Sequence, residues 1–350
     1  MARKILWASL ALAPVTFLVD FVFHADKVVL FSMAAASLVP LAWLIGEATE
    51  HAAEHTGPGI GGFLNASFGN APELIIALFA INSGLPEVVR GSLIGSVVSN
   101  LLLVLGFALS TQREARVDRS SLLVQLGLVG MAVLLFLVPS VPGWDGDPDR
   151  HSLWVLTAPV AIALLALYFA VTLYNLRRHH RSHQGAEEKP EAVLGAWSMR
   201  RALFWLAAAT SATAVISEIL VHSLDAFAQA AGLSEFFIAA VIVAIVGNAA
   251  EHGGAIVIAS RGKMRLASEI AVSSAAQVAL LVTPAVALLS WVVKPALPLA
   301  FRPVEIATMA ASTLLVGVVV YDGCSKRWHG VLLVSAYIGV VLIYLASGNR

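Results

Sequence analysis

An all-α polytopic membrane protein is the fold class this sequence predicts: eleven transmembrane helices, arranged as one extra N-terminal helix and two inverted five-helix repeats. Three observations predict it. Hydrophobic residues make up 59% of the 350 residues and charged residues 13%, against about 25% charged in ordinary soluble proteins. The charges gather between apolar runs and sort to one side. A Gly-Asn-Ala-x-Glu motif occurs twice, once in each half of the chain.

The apolar runs lie at 5–23, 28–54, 60–83, 88–110, 120–139, 152–176, 201–224, 234–260, 264–292, 304–320 and 329–347. Each is near the ~20 residues needed to cross a bilayer. The first follows a basic "MARK" and carries Ala-x-Ala at 11–13, as a signal peptide does; its apolar stretch continues to Val19, which favours a retained helix. Breaks such as "TQREARVDRS", "PSVPGWDGDPDR", "RRHHRSHQGAEEKPE" and "YDGCSKRWHG" hold the turn residues and nearly all the charge. With loops assigned alternately to two sides, the N-terminal side collects 16 Lys and Arg and the other side 6. The positive-inside rule then places the N-terminus in the cytoplasm and the C-terminus outside. The expected organisation is an N-terminal helix at 1–27, a first repeat at 28–176, a cytoplasmic linker at 177–199 and a second repeat at 200–350. Short loops suggest a prokaryotic plasma membrane. Zero net charge gives no electrostatic case for nucleic acid, and the lone Cys324 excludes an intrachain disulfide or multi-cysteine metal site.

The repeat carries the chemistry. Gly69-Asn70-Ala71-Pro72-Glu73 in the third run returns as Gly247-Asn248-Ala249-Ala250-Glu251 in the eighth. A mid-membrane carboxylate costs at least ~2.5 kcal/mol, which marks both glutamates as functional candidates. Glu73 precedes Asn100 by 27 residues and Glu251 precedes Gln277 by 26. Each amide shares a run with serines, Ser92, Ser96 and Ser99 in the first copy and Ser273 and Ser274 in the second. Packing of small residues explains one such motif; two copies, each with a glutamate and an amide helix, call for more. A weaker echo pairs "IGEATEH" (45–51) with "ISEILVH" (216–222), aligning Glu47 with Glu218. Five helices per copy is an odd number, so the copies enter the membrane from opposite sides. Inverted repeats around a midplane ionisable site are a secondary-transporter signature.

Glu73, Glu251, Asn70, Asn248, Asn100, Gln277, Ser96, Ser99, Ser273 and Ser274 offer oxygen donors only, and a locally opened Gly-Asn-Ala helix frees backbone carbonyls. Pro72 predicts a sharper break in the first copy than Ala250 gives in the second. Hard oxygens select Ca²⁺, Mg²⁺ or Mn²⁺, and the flexible six- to eight-fold coordination of Ca²⁺ suits mixed donors. Two carboxylates balance a 2+ charge. Empty, they repel one another in a low dielectric, so at least one takes up a proton. Protons and cation then compete for the same oxygens. His252 is placed to tune or relay that proton, or to bond across helices.

"ATEHAAEHTGPGIGGFLNASFGNAPELIIALFAI", "SLIGSVVSNLLLVLG", "AIVGNAAEHGGAIVIA", "SSAAQVALLVTP" and "YDGCSKRWHGVLL" resemble the Ca²⁺/H⁺ exchanger family of the Ca²⁺/cation antiporter superfamily, over residues 28–347. The resemblance implies eleven helices, inverted repeats and proton-driven Ca²⁺ extrusion by alternating access, with Ca²⁺ as substrate, H⁺ as counter-ion and no cofactor. It implies Glu73 and Glu251 as central ligands, Asn100 and Gln277 nearby, and carbonyls of Gly69 and Gly247. Sodium-coupled relatives carry a second acidic residue where this chain has Asn and Gln. The linker lacks the family's long acidic helix, which puts Ca²⁺ regulation through it in doubt.

"EHAAEH" (50–55) contains H-x-x-E-H, the spacing of inverted zinc metallopeptidases. His51, Glu54 and His55 thus carry an alternative reading as an intramembrane metalloenzyme, against which stands the absence of a partner motif. Glu47, Glu50, His51, Glu54 and His55 fall within about 140° of a helical wheel. The favoured reading is an acidic, proton-accessible cytoplasmic vestibule, led by Glu50, with Glu47, Glu54 and Glu218 as further pathway residues. A solvated helix end is the plainer one.

Overall fold

The computed structural model describes residues 2–56, 64, 67–182 and 197–348. They form helices throughout, with one short ribbon. In chain order these are α1 (Lys4–Phe21), α2 (Lys27–Glu54), α3 (Ala71–Asn82), α4 (Pro86–Ser110), α5 (Arg119–Gly143), α6 (His151–Tyr174) and α7 (Met199–Ala231). Then follow α8 (Glu235–Gly247), α9 (Ala249–Ser260), α10 (Met264–Val293), α11 (Pro303–Val320) and α12 (Arg327–Ser347). Strands β1 (Glu114–Arg116) and β2 (Cys324–Lys326) pair antiparallel, Ala115 opposite Ser325.

Among the described residues nine helices are long and apolar enough to cross a membrane, and ten if α8 and α9, bent by 58°, form one span. This differs from the eleven expected. The third run, 60–83, contributes only the 12-residue α3, and 60–63, 65 and 66 lie outside the described residues, as does most of the linker. The first run is interrupted after Ser9, with Leu12–Phe21 resuming beyond the break.

Each end of the bundle gathers loops that the charge count assigned to the same side. At one end β1 and β2 join the α4–α5 and α11–α12 connections, Gln112 Nε2 donates to the Ala259 carbonyl at 2.9 Å, and Arg265 lies 3.8 Å from Asp118. The Ser120 hydroxyl and the Ser121 amide hold the exposed Asp118 carboxyl below the usual carboxylate range while it caps α5. At the other end Arg90, fully buried, donates to Asp149 at 2.9 Å, to Glu87 at 2.7 Å and to the Pro298 carbonyl at 3.2 Å.

The core is built from small-residue contacts. An added Cβ at Gly95 of α4 would lie 2.0 Å from the Ala240 carbonyl of α8, and one at Gly330 of α12 would lie 2.5 Å from the Gly106 carbonyl of α4. Lipid supplies no hydrophobic drive between helices, so such close approach, with its dispersion contacts, is what holds them. α2 and α7 lie against one another over much of their lengths, with Phe31 stacked on Phe227 at 4.3 Å.

Residues 296–302 run extended and largely buried between α10 and α11. Buried backbone needs partners, and side-chain hydroxyls supply them. The Leu297 amide donates to Ser290 at 2.8 Å, the Leu299 amide to Thr157 at 3.0 Å and the Phe301 amide to Ser140 at 3.0 Å. The Ser140 hydroxyl returns a bond to the Leu299 carbonyl, and Trp144 donates to the Phe301 carbonyl. Truncating one hydroxyl strands a buried amide at a cost of about 1–3 kcal/mol. Ser140→Ala and Thr157→Ala should each lower the detergent-solubilised melting temperature, while Ser347→Ala, whose exposed hydroxyl serves only its own helix, should not; thermal melts of the three variants check this.

Candidate cation site

Both Gly-Asn-Ala segments interrupt a helix. Asn70 (φ −98°, ψ 14°) precedes α3, and Asn248 (φ −90°, ψ 10°) separates α8 from α9. The two asparagines have nearly the same backbone conformation although only the first segment contains proline, and the second break bends by 58°. Each break places its glutamate in the first turn of a new helix, the end of a helix where backbone amides have no partner within the helix itself.

Each carboxylate lies against the glycine of the other half. A Cβ on Gly247 would sit 3.1 Å from Glu73 Oε1, and a Cβ on Gly69 would sit 3.3 Å from Glu251 Oε1. Amides and hydroxyls knit the halves together. Asn70 Nδ2 donates to Gln277 Oε1 at 2.9 Å, and Asn248 Nδ2 donates to Ser96 at 2.8 Å. Asn100 Nδ2 donates to Ser274 at 3.1 Å and to Asn248 Oδ1 at 3.4 Å. Ser274 in turn donates to the Glu251 carboxylate.

The two glutamates are not equivalent. Ser96 and Ser274 both lie 23 residues beyond their glutamate. Ser274 serves Glu251, whereas Ser96 accepts from Asn248. Among the described residues neither oxygen of Glu73 accepts a hydrogen bond, and Asn100 Oδ1 lacks a donor. Buried oxygens without donors are what a cation can satisfy. All of these side chains are buried or nearly so: Asn100 0%, Asn70 and Asn248 2%, Glu73 7%.

Ser99, Ser273 and Ser92 donate to carbonyls of their own helices, Ser96, Ile270 and Val89. His252 is buried, with Nε2 unpartnered among the described residues. π-helical turns at Ser99–Val104 and Val278–Val282 begin at the two amides; such bulges are frequent at functional sites, and nothing in the residue pattern announced them.

The predicted pathway residues separate into two groups. Glu47, Glu54 and His51 cluster at the end of α2, with His51 Nδ1 3.3 Å from Glu54 and Nε2 3.8 Å from Glu47, and Glu50 is exposed beside them. His55 Nε2 bonds the Trp197 carbonyl at 2.8 Å. The two histidines are committed elsewhere, and among the described residues no three His, Cys, Asp or Glu form a metal cluster. Glu218 lies apart from these. It lines a cavity of about 300 Å³ with Asp20, Lys27 and His222, near the opposite end of α2.

A family model described as sodium/calcium exchanger protein matches residues 27–177 and 201–346. The chain belongs to that family. The exchanger is 34% identical over 346 residues to a Ca(2+)/H(+) antiporter of Aphanothece halophytica, covering 92% of this chain and 91% of that one. It is 38% identical over 327 residues to the Ca(2+)/H(+) antiporter ChaA of Bacillus subtilis, covering 90% and 91%. The solved structure of native YfkE superposes with a TM-score of 0.83 at 33% identity, over 99% of this chain and all of that one. A H+/Ca2+ exchanger CAX structure, 18% identical, shares the fold at a TM-score of 0.74 over 98% and 92%. The protein is therefore a multi-pass membrane transporter and not an enzyme. That removes the metallopeptidase reading of "EHAAEH".

Crowding at the glycines is testable. A methyl on Gly247 presses on Glu73, and overpacking of this kind costs about 1–3 kcal/mol. Gly247→Ala should raise the Ca²⁺ concentration for half-maximal uptake by about tenfold, since 1.4 kcal/mol is one decade. Gly254→Ala, where a Cβ meets nothing within 4 Å, should leave it unchanged; Ca²⁺-dependence of uptake into proteoliposomes distinguishes the two.

Proposed function

We propose that the chain exchanges cytoplasmic Ca²⁺ for external H⁺ by alternating access at a single site built on Glu73 and Glu251. The observation that carries this reading is the pair of carboxylates, each set against the other half's glycine, among Asn, Gln and Ser side chains that offer oxygens. The relatives named as Ca²⁺/H⁺ antiporters supply the ions.

Glu73, Glu251, the oxygens of Asn100 and Gln277 and carbonyls at the two breaks hold Ca²⁺; the cation is cargo, and no resident cofactor is required. Ca²⁺ arriving from the cytoplasm displaces protons from the carboxylates, and protons from outside displace Ca²⁺ after the site changes face. Site oxygens that serve both ions make coupling a matter of competition. Two exchanged protons per Ca²⁺ keep the cycle electroneutral, and a third would add about 2.3 kcal/mol of drive per 100 mV. Glu47, Glu50 and Glu54 form the cytoplasmic approach, Glu218 the outer one, and His252 relays protons beside Glu251. The frame is eleven spans, with inverted repeats at 28–176 and 200–350, the N-terminus in the cytoplasm and the C-terminus outside a prokaryotic plasma membrane.

Radioactive Ca²⁺ uptake into proteoliposomes tests the proposal. A pH gradient should drive uptake in the wild type, and Glu251→Gln should reduce it by more than about tenfold, the equivalent of 1.4 kcal/mol. Uptake driven only by a Na⁺ gradient would replace the proton with sodium, and uptake unaffected by Glu251→Gln would remove the carboxylate from the site.

A further inference from the structure

The "EHAAEH" motif retains histidines for which cation transfer supplies no role, and the structure shows what they hold. Trp197, 4% exposed, immediately precedes Ser198, the N-cap of α7. Its carbonyl accepts from His55 Nε2 at 2.8 Å, and its indole stacks on His51, with centroids 4.9 Å apart and planes 28° apart. The Arg201 guanidinium lies 4.9 Å from the Trp197 ring. Trp7 of α1 packs between Trp43, Trp197 and Trp205, at centroid distances of 5.7, 6.1 and 5.4 Å. Two adjacent histidines, one stacked and one hydrogen-bonded, thus fasten the end of α2 to the start of α7.

The surroundings of His51 distinguish its two charge states. Both ring nitrogens face carboxylates, Nδ1 toward Glu54 and Nε2 toward Glu47. A neutral imidazole carries one N–H, whereas an imidazolium carries one on each nitrogen and attracts both carboxylates, through a hydrogen bond to Glu54 at 3.3 Å and a longer ion pair to Glu47 at 3.8 Å. The stacked indole adds attraction for a cation over its face. Opposing charge comes from Arg201 on α7 and from His55 on the same turn of α2, while α1 contributes Lys4, one turn before Trp7. Histidine is the side chain that ordinarily changes charge between about pH 5 and 8.

We infer that His51, His55 and Trp197 form a proton-operated clasp between the ends of α2 and α7, tightened when His51 is protonated and loosened when it is not. Acidification on this side fastens the two helices and slows the exchanger; alkalinisation releases them. Cation coordination takes no part in the clasp, although the consequence for rate rests on the transport reading.

The test uses the full chain in nanodiscs with 5-fluorotryptophan in place of its eight tryptophans. Trp197→Phe identifies the Trp197 fluorine resonance, which is followed from pH 5.5 to 8. A resonance that shifts across this window and a step lost in His51→Gln are expected. A Trp197 resonance that does not move, or one that steps identically in His51→Gln, overturns the clasp. Where the wild type takes up Ca²⁺, its rate at a fixed pH gradient should fall as the pH on the clasp side falls, and His51→Gln should flatten that dependence; an equally steep dependence in His51→Gln overturns the regulatory role. The fluorine readout needs no transport, so a chain that moves no Ca²⁺ contradicts the proposed exchange without deciding the clasp.

Discussion

Two carboxylates inside a membrane core, with no ion-paired cation among the described residues, are the constraint on which the rest of this structure depends. None of the ion pairs among the described residues involves Glu73 or Glu251. The buried arginines are engaged elsewhere, Arg90 by Glu87 and Asp149, and Arg302 by Glu305 at 2.5 Å. An unpaired buried carboxylate is costly to keep ionised, and in the proposed exchange a mobile cation or a proton neutralises it. The asparagines hydrogen-bond across the halves, while among the described residues neither oxygen of Glu73 has a hydrogen-bond donor. A site satisfied by resident donors would have less to gain from its cargo.

The glycines follow from the same need. Gly69 and Gly247 leave room for the opposite carboxylate, and Gly95, Gly106 and Gly330 let the surrounding helices close around the pair. Replacing small residues by larger ones acts on the site through distance rather than through chemistry. The crossed arrangement, in which each glutamate abuts the other half, also makes the site sensitive to any relative movement of the halves. Such sensitivity is what alternating access requires.

Much of this was legible in the residues. The apolar runs gave α2, α4 to α7 and α10 to α12 close to where they lie, because mid-span hydrophobicity and charged breaks are properties of the chain itself. The duplicated motif marked both glutamates, and Asn70, Asn100, Asn248, Gln277, Ser96 and Ser274 do meet. The pairings were harder to read. Asn100 and Gln277 appeared as matched members of two copies, yet each bonds across the halves, and the register that equates the glutamates sets Gln277 against Ser99. Ser99 and Ser273 donate to their own helices, which spacing alone does not reveal. The ribbon at Glu114–Arg116 and Cys324–Lys326 depends on two loops far apart in the chain. The role of His51 and His55 waited on Trp197, 142 residues beyond His55, and no local pattern connects them.

In the proposed exchange, cation and protons compete for the same oxygens. The most direct measurement is proton release on adding Ca²⁺ to the purified protein in weakly buffered nanodiscs, with a pH dye, for wild type and Glu73→Gln. The account predicts stoichiometric release by the wild type, less release by the variant, and Ca²⁺ binding that weakens as pH falls. Ca²⁺ binding that releases no protons and does not change with pH would contradict it.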